Sequence, residues 1–212
     1  MTQVAGRSHP ARFGGEMLFS VLIAAGALYL ASCAASPEIR YFRVEYPLAR
    51  STADGPLPVT LGIARLGASE PYHQERIIFR TSPYQVQYYT YDRWESPPVE
   101  MVNDRLLEHF AARGRFQRVM PWRRGETLDY RLEARLRRFE ELDEAYGWYG
   151  LVEMEYEVVA RDGRSLWRGV TSQRVRAEAR NPEGTVEALS RGLQAALDEV
   201  VTKTAAALRG SH

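Results

Sequence analysis

The chain has a single cysteine, Cys33, which closes an uncharged apolar run from Met17 to Ser32 and is preceded by Leu30-Ala31-Ser32. A cysteine in that setting is an acylation site. Small residues let a peptidase reach the backbone, and the thiol accepts a diacylglycerol. Arg7 and Arg12 lie upstream, as the basic segment of a secretory signal does. The run is shorter than the ~20 residues of a spanning helix, although an uncleaved membrane anchor is the alternative to be weighed. We therefore expect residues 1–32 to be a signal peptide and residues 33–39 a lipidated tether. No cofactor is expected beyond the covalent diacylglycerol and N-acyl chain on Cys33. Several acyl chains, at ~0.8 kcal/mol per buried methylene, make such anchoring effectively permanent. Ala34 follows the cysteine where an aspartate would favour retention in the inner membrane, so the periplasmic side of the outer membrane is the expected address.

Other side chains offer little for catalysis. One cysteine permits neither an intramolecular disulfide nor a Cys-based zinc cluster. Once the signal and the terminal His212 are set aside, only His73 and His109 remain to act as acid, base or ligand, and neither has a metal-binding spacing. His109, beside Glu108, is expected on the exposed face of a helix. The acidic pairs Glu140-Glu141 and Asp143-Glu144 are expected in solvated turns. There is no phosphate loop and no nucleophile elbow, and the single lysine is Lys203. We expect no enzyme and no metal.

A tyrosine-rich stretch, Tyr84, Tyr88, Tyr89, Tyr91 and Trp94, suits an interface, because aromatic rings with a polar tip combine contact area with hydrogen bonding. With the turn Pro71-Tyr72-His73-Gln74 it forms the expected partner-binding surface, through Tyr72, His73, Tyr84, Tyr88 and Tyr89. The partner is a protein or a second copy of this chain. Nucleic acid is not expected, since the formal net charge is only +1, and removal of residues 1–32 leaves basic and acidic residues equal in number.

The elements that must position these residues follow from periodicity. Arg40 to Val44, Val59 to Ile63, Arg76 to Thr81, Gln85 to Tyr91 and Phe116 to Met120 read as strands. Asp129 to Arg138 shows the clearest two-residue alternation. A further strand around Glu153 to Val158 turns at Asp162-Gly163, which sets Glu157 opposite Arg168 and Tyr156 opposite Gly169. Pro97-Pro98 opens a helix that ends at Gly114, and Asn181-Pro182 opens the last helix, whose apolar stripe includes Val186, Leu189, Leu193 and Leu197. The expected fold is α+β: a mainly antiparallel sheet with two principal helices packed on one face, forming a single domain over residues 40–209.

L-G-I-A-R-L at Leu61–Leu66, Q-E-R-I-I-F-R at Gln74–Arg80 and, most specifically, Y-D-R-W-E-S-P-P at Tyr91–Pro98 resemble the ABC-type transport auxiliary lipoproteins of the PqiC type. The likeness continues through D-Y-R-L-E-A at Asp129–Ala134 and D-G-R-S-L-W at Asp162–Trp167, and so covers most of the chain after Cys33. The chain departs from that family in Pro71–Gln74, where a leucine-aspartate pair is common, and in the aromatic Tyr88–Tyr91. The resemblance implies a non-enzymatic, outer-membrane lipoprotein that works with MCE (mammalian cell entry) proteins in carrying lipid between membranes. In its Tyr91, Asp92, Arg93 and Trp94 turn, Trp94 is expected buried against the first helix and Asp92 to cap or orient the entry to it. The competing reading is a lipoprotein that binds a lipid or other small ligand in an apolar pocket lined by Trp148, Tyr156 and Trp167. An envelope hydrolase is a third, for which no nucleophile and base can be paired.

Overall fold

The computed structural model describes residues 37–49 and 55–210. Its strands are β1 (Arg40–Phe42), β2 (Leu57–Ile63), β3 (Gly67–Ala68), β4 (Arg76–Ser82), β5 (Gln85–Trp94), β6 (Phe116–Pro121), β7 (Tyr130–Glu144), β8 (Gly147–Ala160) and β9 (Ser165–Arg176). The helices are α1 (Pro98–Arg113) and α2 (Pro182–Arg209), and a 3₁₀ turn covers Glu70–His73. Cys33 and the signal segment lie outside the described residues.

β7 is the spine. On one edge it takes three parallel partners in succession: β2 at Tyr130–Leu132, β3 at Arg135–Leu136 and β4 at Glu141–Leu142. Residues 57 to 82 thus run alongside β7 in one direction, interrupted by the 3₁₀ turn. On its other edge β8 pairs antiparallel along the whole length, and β9 pairs antiparallel with β8. β5 returns antiparallel to β4, while β1 and β6 pair parallel with β5 and β2. The sheet is therefore mainly antiparallel, as expected, but mixed, with parallel partners along one edge of β7. Alternation reports which face of a strand is buried but not the direction of its neighbours, and the long connection from β2 to β6, which contains α1, is long enough to make their parallel pairing.

A bulge between Leu136 and Arg138 resets the phase of β7. Before it the even positions Leu132 and Leu136 are fully buried; after it Phe139 and Glu141 face inward instead. Gly150 lies opposite Glu141, and α2 packs directly on it. A Cβ built on Gly150 would sit 2.6 Å from the backbone nitrogen of Leu189, so only glycine allows this approach.

Both helices bury the stripes that their spacing predicts: Val99, Val102, Leu106 and Phe110 in α1, and Val186, Leu189, Leu193 and Leu197 in α2. Gly114 ends α1 in the left-handed conformation at φ 62°, and the Asn181 side chain caps α2 by accepting from the Gly184 nitrogen at 2.8 Å. The β8–β9 connection keeps the expected pairs Tyr156 with Gly169 and Glu157 with Arg168. It does so through a wider turn, with Ala160 and Arg164 closing it and Gly163 at φ 87°, and a compensating bulge beyond Ser165.

Candidate functional site

Tyr72 does not project from its turn. The 3₁₀ geometry of Glu70–His73 points the ring inward, and its hydroxyl donates to Glu140 Oε2 at 3.1 Å. Glu140 is fully buried in β7, where Arg80 Nε donates to its Oε1 at 2.9 Å and Arg138 Nε at 2.6 Å. Glu141, on the other face of the strand, is equally buried. Tyr89 donates to its Oε2 at 2.9 Å, and the Thr185 hydroxyl, from the first turn of α2, donates to the same oxygen. Among the described residues its Oε1 has no hydrogen-bond partner. Burial raises the Glu141 carboxyl above its ordinary range, against the opposing pull of the Thr185 and Tyr89 hydrogen bonds. The expectation of solvated turns for Glu140-Glu141 is thus overturned: the strand runs six residues past the alternation that predicted it.

The tyrosines of β5 divide accordingly. Tyr89 packs on Phe79 with ring centres 5.0 Å apart and belongs to the interior network. Tyr88 is half-buried beneath the Arg76 guanidinium, 4.6 Å from its ring centre. Tyr84, at the β4–β5 turn, is 96% exposed, and Tyr91 is exposed as well. Asp92 does not cap α1, whose first residue follows Pro97 with no side-chain cap. It holds β1 instead, by an ion pair with Arg40 at 2.7 Å. Arg93 pairs with Tyr41 across the same β1–β5 ladder. Trp94 is fully buried, its ring 5.4 Å from that of Phe139, and its backbone nitrogen donates to Glu75 O at 2.8 Å.

His73 remains exposed and lines a cleft of about 660 Å³ between α1 and the ends of β2 and β6. Ile63, Leu66, Val99 and Leu107 supply its apolar wall, with Asp104 and Arg123 as charged lining. Trp148, Tyr156 and Trp167 are not brought together. Tyr156 and Trp167 pack in a tilted arrangement with ring centres 4.4 Å apart, but Trp148 lies near the opposite end of β8, about 25 Å of strand away.

The family model of the ABC-type transport auxiliary lipoprotein component matches residues 44–201. The chain belongs to that family. The match begins after Cys33 and takes in both helices' buried stripes and Tyr91–Trp94, which close strand β5 where a turn was expected. Among solved structures, protein XCC0632 from Xanthomonas campestris, of the family-model DUF330, is similar at a TM-score of 0.74 and 18% identity, covering 81% of this chain and 98% of that one. An uncharacterized protein follows at 0.64 and 12% identity, covering 79% and 99%. These two likenesses show the fold. No curated protein matches the sequence.

In this auxiliary lipoprotein the histidine that sequence spacing places on an exposed helix face is buried. His109 Nε2 stands 2.9 Å from Asp198 Oδ1 of α2 and 3.2 Å from Arg113 Nε. Burial lowers its pKa, and the Asp198 carboxylate only partly offsets that, so the ring ties α1 to α2 in neutral form. The apolar spacing of α1 omits position 109 because its partner is a polar side chain on a distant helix. No local signal marks such a pair.

Proposed function

We propose that this chain is a non-enzymatic accessory of an MCE/ABC-type envelope lipid-transport system, held by lipidated Cys33 on the periplasmic side of the outer membrane, where it docks an MCE-type periplasmic protein. The observation that carries this reading is the family match over residues 44–201, joined to the Leu30-Ala31-Ser32-Cys33 sequence ahead of it. Ala34 supports the outer membrane as the address. The cleft beside α1 supports docking: an apolar floor with a charged rim is the anatomy of a protein contact, and His73 stands at its edge. Of the five residues expected to bind the partner, Tyr72 and Tyr89 are committed to Glu140 and Glu141, so the contact is assigned to His73 and the cleft around it.

Cys33→Ser tests the anchor. Incorporation of labelled palmitate should vanish, and the protein should leave the outer-membrane fraction for the soluble one. Crosslinking in cells from a photoreactive residue at position 104 should trap an MCE-type protein. Unchanged lipid incorporation in Cys33→Ser, or crosslinks confined to unrelated proteins, would overturn the proposal.

A further inference from the structure

Two exposed tyrosines stand at the same end of the sheet. Arg80 pairs with Leu142 in parallel register, and continuing both strands brings the β4–β5 turn, with Tyr84, level with the β7–β8 turn, with Tyr146. Tyr84 is 96% exposed and Tyr146 87%, the two most exposed large hydrophobic side chains described. Guanidinium groups brace this end. Arg176 and Arg180 donate to the carbonyls of Tyr146 and Ala145, each at 3.1 Å, and both are exposed. Each guanidinium has five donors, so bonding a neutral carbonyl leaves its charge and further donors to meet an anion.

Strand β1 is entered from the same end. β1 pairs parallel with β5, Arg40 beside Asp92, so the chain enters β1 from the side on which β5 begins, where Tyr84 lies. From Asp92 back to Tyr84 is about 26 Å of strand. The segment between Cys33 and Arg40 can span at most about 25 Å. Fully extended, the acylated cysteine therefore comes to about the plane of the tyrosines and no farther. Exposed apolar side chains line the margin between the two points, with Val86 and Tyr91 on β5 and Ile39 ahead of β1.

We propose that the Tyr84–Tyr146 end of the sheet rests on the phospholipid surface in which the chain is anchored, with both rings in the headgroup layer and Arg176 and Arg180 facing lipid phosphate. Tyrosine suits this depth because its ring is apolar and its hydroxyl stays wet. This contact fixes the orientation of the domain, and about 40 Å of strand then separates the membrane from Ile63 in the cleft, where β2 pairs with Leu132. The inference rests on Cys33 acylation as proposed above and adds the surface that meets the bilayer.

Cys33 is the only cysteine, and acylation consumes its thiol, so a cysteine introduced elsewhere is the only free one. Tyr84→Cys, Tyr146→Cys and, as a distant control, Arg124→Cys would be made in the full lipidated chain. Each would be labelled with an environment-sensitive fluorophore and reconstituted in phosphatidylethanolamine–phosphatidylglycerol vesicles carrying headgroup nitroxide lipids. The expected result is a blue shift and strong quenching at 84 and 146, with neither at 124. Quenching at 84 and 146 no greater than at 124, in protein that floats with the vesicles, overturns the inference and leaves the anchor intact. Protein that fails to float removes the anchor and the inference together. A response that follows protein density in the vesicles instead of nitroxide content identifies a contact between copies of the chain and also overturns it.

Discussion

The Tyr72 hydroxyl donates to Glu140 Oε2 at 3.1 Å inside the protein, joining the 3₁₀ turn to the central strand β7. Glu140 is fully buried and takes its other hydrogen bonds from Arg80 and Arg138. A hydrogen bond to a buried charge contributes ~1.5–3 kcal/mol, because the acceptor cannot turn to water when the donor is removed. Tyr72→Phe should lower stability by about 2 kcal/mol in denaturant melts while leaving membrane fractionation unchanged. A loss below ~0.5 kcal/mol, the scatter of idle surface positions, would show that the hydroxyl contributes nothing to the fold.

Glu141 makes stability depend on pH. Burial raises its folded-state pKa above the unfolded value of about 4.5, so the folded form binds the proton more tightly. The stability linked to this proton is complete below 4.5 and is lost as pH rises through the raised folded value. Glu141→Gln removes the ionisation and keeps an oxygen for Tyr89 and Thr185. Melting temperature measured from pH 4 upward should decline in the parent and decline less in Glu141→Gln. Parallel curves for the two proteins would refute the assignment.

Trp94 is buried between β5 and the core, with Phe139 against it. Large-to-small changes of this kind cost about 3–5 kcal/mol, part transfer and part cavity. Trp94→Ala should show a loss of that size in urea unfolding, and a loss under ~1 kcal/mol would mark a site that collapses without cost.

The buried stripes of α1 and α2, the Gly114 stop, the Asn181 cap and the β8–β9 register were all legible because each rests on residues close in sequence. The Glu140–Glu141 pair was not. Even positions of β7 carry the apolar residues as far as Leu136, and the same phase carried onward would bury Arg138, so alternation alone ends the strand there. The bulge that follows shifts the phase by one and turns Phe139 and Glu141 inward. Nothing in the adjoining residues announces it. Tyr72 and His109 were misplaced for a related reason: each is a polar group whose partner, Glu140 or Asp198, lies far along the chain.

The cleft and the tyrosine turns lie at different levels of the sheet, so their contributions can be separated by substitution. His73 and Asp104 are exposed at the cleft, where a change should disturb little of the fold. If the periplasmic partner docks there, His73→Ala combined with Asp104→Arg should weaken its binding by about 2 kcal/mol, roughly thirtyfold in Kd, as loss of a contact hot spot does. Melting of the double variant should stay within ~0.5 kcal/mol of the parent. Tyr84→Ala should leave that affinity unchanged, because its ring meets lipid and not the partner. Binding to the proposed MCE-type partner, measured with each variant held on vesicles, decides between the two ends. Parental affinity in the cleft variant, together with a large loss in Tyr84→Ala, would move the docking surface to the turns and leave the cleft without a role in assembly.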